Sequence, residues 1–127
     1  MSNERTLLVA VVDDDAEVRV ALMRLFSSAG FATETFASGA EFLQSVDGHT
    51  PGCVVLDLHM PGLNGFEVQE QLVERHPEVP IVIITGRDTA EARRRALSLG
   101  ARAYLSKPVD DEALLQAIGD AFTTPIR

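Results

Sequence analysis

The sequence predicts an α/β domain of the doubly wound kind, a parallel sheet covered by helices on both faces. Two observations carry that prediction. Short apolar, β-branched runs alternate five times with longer segments of helical periodicity, and such alternation implies right-handed crossovers between parallel strands. The runs at 7–12, 53–57 and 80–85 are nearly all apolar, as strands buried on both sides must be.

Each element follows from local chemistry. "LLVAVV" (7–12) reads as the first strand and runs straight into Asp13, Asp14 and Asp15. Over 15–29, Val18, Leu22, Leu25 and Phe26 recur at three- and four-residue spacing, and Gly30 stops that helix. "FATETF" (31–36) alternates polar with apolar, which suits an edge strand with one wetter face. Ser38 can cap the next helix, with Glu41 three residues on at capping-box spacing. "CVVLD" (53–57) is the third strand. The helix near 64–76 ends at His76, because Pro77 disfavours helix in the residue before it. "PIVIIT" (80–85) follows, then a helix opened by Asp88 or Thr89 and ended by Gly100. "AYLS" (103–106) and a helix from about Asp110 to Phe122 complete the series.

At 127 residues the chain reads as one domain, with a core over about 6–122. A net charge of −8 argues against binding nucleic acid through bulk electrostatics. No apolar run approaches the roughly 20 residues of a membrane span, and "MSNERTLL" has no secretory pattern. Cys53, the single cysteine, sits in an apolar run and reads as a small core residue in a reducing cytoplasm. His49, His59 and His76 lack metal-ligand spacing, so no zinc site is expected.

In open α/β sheets, ligands bind outside the carboxyl ends of the strands. The acidic run follows the first strand, Asp57 ends the third, Thr85 ends the fourth and Lys107 follows the fifth. Carboxylates about 4 Å apart repel by roughly 4 kcal/mol at an effective dielectric of about 20. A fold tolerates this where a cation is expected or where the groups fan into water. Read alone, an aspartate run after a strand can be a solvated turn. The delivery of carboxylates, a hydroxyl and an ammonium to one edge by four strand ends points to a site.

"VVDDD", "VVLDLHMPGLNG" around Asp57, "VIITG" at Thr85 and "AYLSKP" at Lys107 occur in an order and spacing that resembles the receiver domain of two-component response regulators. "DLHMPGLNG" and "ITG" look most like the FixJ-type subfamily. The resemblance implies a CheY-like sheet of strand order 2-1-3-4-5 flanked by five helices. It implies that Asp57 is the phosphoryl acceptor, taking its group from a sensor histidine kinase or a histidine phosphotransfer protein. It further implies Mg²⁺ held by Asp14, Asp57 and the backbone carbonyl of His59, with Asp13 acting through a metal-bound water. That agrees with the preference of Mg²⁺ for a few carboxylates plus water and phosphate. Lys107 would pair with the phosphoryl oxygens, ahead of a cis peptide to Pro108, and is the chain's only lysine. Thr85 and Tyr104 would be the switch residues, the ring turning inward as the hydroxyl moves, and Gly86 would leave access open. Asp15 is expected to start the first helix, outside the metal shell.

The implied output is a protein-interaction face formed by the fourth helix, fifth strand and fifth helix. Residues 87–102 carry Arg87, Arg93, Arg94, Arg95 and Arg102 against Asp88 and Glu91. They read either as an amphipathic helix with a solvated arginine face or as a docking or dimer surface for an acidic partner. The imidazole of His59 is expected to sit in solvent at the site entrance. Such a domain catalyses only its own phosphorylation and dephosphorylation. Two other functions compete with it. A Mg²⁺-dependent phosphatase or phosphotransferase of the haloacid dehalogenase kind needs an acid two residues after its nucleophile, where this chain has His59. A phosphorylation-independent interaction module would be signalled by loss of the nucleophile, the acidic pair or the lysine, and all are present. A stand-alone receiver and an excised N-terminal domain of a larger regulator both fit the sequence.

Overall fold

The computed structural model describes residues 7–123. Thr6, at the expected start of the core, and 124–127 of the tail lie outside the described residues. Five parallel strands, β1 (Leu8–Val12), β2 (Ala32–Phe36), β3 (Cys53–Asp57), β4 (Ile81–Thr85) and β5 (Ala103–Ser106), lie in the order β2-β1-β3-β4-β5. Between and after them come α1 (Ala16–Ser28), α2 (Gly39–Val46), α3 (Gly65–Arg75), α4 (Ala90–Ser98) and α5 (Asp111–Thr123). This is the predicted architecture and strand order. No helix among the described residues is long and apolar enough to cross a membrane.

Alternation along each central strand sends side chains to two cores. Ala10, Val12, Val54, Leu56 and Ile83 face one layer with Phe42, Val46, Val68 and Leu72 of α2 and α3. Val9, Val11, Cys53, Val55 and Ile84 face the other with Leu22 and Phe26 of α1 and Leu114 and Ile118 of α5. Every residue of β3 and β4 is buried, so neither has a polar face. Each such aliphatic side chain contributes about 1.5–3 kcal/mol of burial. β2 at the edge is only partly buried, as its alternating sequence predicts. Cys53 is a core residue, and burial pushes its thiol up to about 12.

Capping side chains set the helix starts. Asp15 accepts from the Glu17 N–H, so the third aspartate of the run begins α1. Ser38 accepts from Glu41 N–H, but the reciprocal half of a capping box is made elsewhere, between Asn64 and Glu67 at the start of α3. Thr89 is the cap of α4, and Asp110 accepts from the Ala113 N–H ahead of α5. Gly30 and Gly100, with φ of +94° and +102°, take the left-handed conformation that ends α1 and α4.

One glycine positions the edge that matters. The Gly65 N–H donates to the Leu58 carbonyl at 2.9 Å, folding the start of α3 back onto the end of β3. A Cβ at Gly65 would fall 2.5 Å from the Asp57 carbonyl oxygen and 2.6 Å from Leu58 Cα. Backbone must move to admit it. Gly65→Ala is therefore expected to destabilise the domain by about 1–3 kcal/mol, read as a lower urea midpoint at an unchanged slope. An unchanged midpoint would show that the β3–α3 loop yields freely.

Candidate functional site

The strand order brings the predicted residues together. β1 and β3 are neighbours, so Asp13, just past Val12, lies beside Asp57 at the end of β3. Carboxylate oxygens of Asp13, Asp14 and Asp57 all fall within 4.8 Å of one another. β4 delivers Thr85 in register with Ser106 of β5, and Lys107 follows directly. Its ammonium lies 2.9 Å from Asp13 and 3.6 Å from Asp57. The Lys107–Pro108 peptide is cis.

The three acids are held differently. Asp13 is fully buried and engaged on every side. Its N–H donates to the Phe36 carbonyl, its own carbonyl accepts from Arg19 Nη1 at 2.7 Å, and its two carboxylate oxygens accept from Asp15 N–H and Lys107 Nζ. Asp14 is exposed and carries no such contacts among the described residues. Asp57 is 3% exposed and accepts one long bond, 3.3 Å, from the His59 N–H. Asp13 thus organises the loop, Asp14 faces solvent without a partner among the described residues, and Asp57 is buried with only a long bond and a distant ammonium on its oxygens.

Electrostatics follow from that packing. Burial, reinforced by the charge of Asp13, raises the Asp57 carboxyl above the ordinary carboxylate value, and Lys107 and the His59 N–H only partly offset it. For Lys107, burial opposes the charged form most strongly. The hydrogen bond to Asp13 and the charges of Asp57 and Asp13 together outweigh it, so its pKa rises and the side chain stays an ammonium. Three carboxylates against one ammonium leave a surplus of negative charge in a partly dry site. The donors are all hard oxygens: Cys53 is in the core and the His59 side chain is exposed. Such a donor set fits Mg²⁺, which keeps its remaining positions for water or phosphate oxygens.

The other predicted residues lie around this cluster. Thr85 is fully buried, and its Oγ1 accepts from the Arg87 N–H at 3.0 Å while its carbonyl accepts from the Lys107 N–H at 2.7 Å. Tyr104 already lies inside, 6% exposed, with Arg93 5.3 Å above its ring. Its hydroxyl is buried without a hydrogen-bond partner. Burial first, then the charge of nearby Asp88, raise its pKa. A Cβ at Gly86 would meet nothing, so the space there is open. The arginines of α4 are not simply a solvated face: Arg93 covers Tyr104, and Arg95 stacks on Phe66 at 4.1 Å.

Three contributors escaped the sequence reading. Arg19 pins the Asp13 carbonyl from one turn into α1. Ser106 Oγ donates to Asp88 at 2.7 Å, tying the loop after Thr85 to β5. Gly65 closes the backbone under Asp57. Only Gly65, inside the "GLNG" turn, carried a local signal. The other two depend on contacts between separate elements or successive turns.

A family model described as the response regulator receiver domain matches residues 9–119. The chain is 40% identical over 108 residues to the DNA-binding transcriptional regulator NtrC of Escherichia coli, covering 84% of this chain and 23% of that protein. It is 40% identical over 111 residues to nodulation protein W of Bradyrhizobium diazoefficiens, covering 87% and 49%. With response regulator protein TodT of Pseudomonas putida it shares 36% over 116 residues, covering 91% and 51%. Among solved structures, a response regulator receiver protein from Burkholderia phymatum is 44% identical with a TM-score of 0.81, over 91% of this chain and 94% of that one. The response regulator StyR is 42% identical with a TM-score of 0.85, over 93% and 60%. The chain belongs to the response regulator receiver domain family, the receiver module of two-component signalling. It spans from about a quarter to half the length of these curated relatives.

Replacing one of the crowded acids by its neutral isostere relieves repulsion. Asp57→Asn is expected to stabilise the metal-free domain by on the order of 1 kcal/mol. Mg²⁺ is expected to raise the melting temperature of the wild type, and the same change should diminish that rise. Thermal melts of both proteins with Mg²⁺ and with chelator read both effects. A less stable Asp57→Asn protein would mean that the pairing with Lys107 outweighs the repulsion.

Proposed function

We propose that this domain accepts a phosphoryl group on Asp57 from a sensor histidine kinase or a histidine phosphotransfer protein. The observation that carries it is the convergence of Asp13, Asp14, Asp57 and Lys107 at one sheet edge. Asp14, Asp57 and the His59 carbonyl would hold Mg²⁺, with Asp13 reached through a bound water. Bound there, the ion offsets charge on the phosphoryl oxygens, which the carboxylates alone would repel. An ionised Asp57 oxygen attacks phosphorus, the P–N bond of the donor breaks, and its electron pair stays on the imidazole. No proton leaves Asp57 in that step. Lys107, which bridges Asp13 and Asp57 here, lies close enough to pair with a phosphoryl oxygen. The domain is thus not a turnover enzyme on outside substrates; it catalyses only its own phosphorylation and dephosphorylation.

The switch follows as a population shift. Thr85 Oγ1 accepts from Arg87 N–H, which leaves the hydroxyl proton free to be donated to the new phosphoryl group. Turning that hydroxyl disturbs the loop that begins at Gly86 and leads into α4. Tyr104 and Arg93 lie against that loop, and the change is read on the face of α4, β5 and α5 by an output protein or a second copy. Arg87, Arg94 and Arg102 favour an acidic partner there. We place the receiver at about residues 6–122 of a single domain, assign it to the FixJ-type subfamily on "DLHMPGLNG" and "ITG", and take it to work in the cytoplasm.

Intact-mass measurement after incubation with Mg²⁺ and a small-molecule phosphodonor tests the reading. Wild-type protein should gain one phosphate, chelator should abolish the adduct, and Asp57→Asn should show none. An adduct on the mutant, or one indifferent to chelator, would remove Asp57 as the acceptor.

A further inference from the structure

Little apolar burial holds α4 in place. Of its nine residues only Ala96 is buried, and Leu97 remains 42% exposed. α2 and α3 each bury four residues. A hydrophobic face therefore does not decide where α4 rests, as it does for its neighbours.

A polar contact takes that place. Gln69 of α3 is fully buried, and its Nε2 donates to the Ala96 carbonyl at 2.8 Å. The carbonyl only accepts, so it sets which way the amide faces. Ala96 O belongs to the last turn of α4, whose carbonyls lack full intrahelical pairing. The chain reversal at Gly100 supplies one partner, the Ala101 N–H at 3.1 Å, and Gln69 supplies a second from another helix. Arg95 adds a parallel tie on the solvent side, stacked on Phe66 and 3.8 Å from Glu70 of the same α3. Gln69 Oε1, however, is buried and has no protein hydrogen-bond partner. An amide half-paired in a core adds less to stability than an apolar side chain of equal size. Bulk stability is thus not what Gln69 supplies.

We infer that Gln69 is the positioning residue of α4: its buried amide grips the C-terminal turn of the helix and fixes its resting place against α3. The consequence for signalling rests on the proposed switch, because α4 continues from the loop that follows Thr85. A helix held mainly by polar contacts, with Gln69 as the buried one, has a resting position set by those contacts rather than by an apolar face.

Backbone hydrogen exchange on the full chain without phosphodonor tests this, comparing wild type with Gln69→Met and Gln69→Leu. Methionine is close to glutamine in length and flexibility, is somewhat larger, and removes the amide's polar contacts. Protection of α4 amides should fall roughly three- to tenfold, the loss of one net hydrogen bond. Protection in β3, β4 and α3, and the urea midpoint, should stay the same or rise. Unchanged α4 protection in both variants would overturn the inference, as would an equal loss across all elements, which marks generic core damage. Failure of the phosphorylation reading would show separately, as a wild-type protein with no mass adduct, and would leave the exchange result standing.

Discussion

Crowding of three carboxylates around one ammonium at the carboxyl edge of the sheet is the constraint on which the rest of the structure depends. Asp13, Asp14 and Asp57 come within 4.8 Å because β1 and β3 are adjacent. Lys107 comes from the far edge, after β5, and its ammonium reaches Asp13 at 2.9 Å. A sheet wound in another order would separate these groups by one or more strand spacings of about 4.8 Å. The apolar strands thus have a second role: they must be rigid enough to hold like charges together. Complete burial of β3 and β4 provides that rigidity.

One chain of contacts runs from this edge towards α4. Lys107 donates its N–H to Thr85, Thr85 accepts from Arg87, and Ser106 donates to Asp88. Each link joins the site to the segment that leads into α4. Stability is not uniform across a domain, and the elements that move are drawn from its weakly packed end. α4, with one buried residue, a polar grip from Gln69 and two arginine–aromatic contacts, lies at that end. The sheet and α4 are therefore built on different physics, apolar burial in one and directional polar contacts in the other.

The elements and most of the site were legible in the chain itself, for identifiable reasons. β3 and β4 announce themselves as unbroken apolar runs because both their faces are covered. β2 shows its edge position by alternation. The ends of α1 and α4 are written in Gly30 and Gly100, where a positive φ is required. Asp15 capping α1, rather than joining the acidic cluster, follows from its place one residue before the helical period begins. Gln69 was not legible: at its position in α3 it reads as one more polar residue of an amphipathic helix, yet it is fully buried.

By itself, then, the sequence determined the α/β class, the order of elements and the residue types at each strand end, because hydrophobic period and turn chemistry act over a few residues. The tertiary structure alone decided how those residues divide their work. Only there does Asp13 become a fully engaged organiser while Asp14 stays open, and only there does Arg19 meet the Asp13 carbonyl. Only there does Tyr104 lie buried with an unpaired hydroxyl and Gln69 hold a helix 27 residues away in the chain. Hydrogen bonds and charge pairs depend on distance and angle between elements, and no local pattern of side chains encodes those.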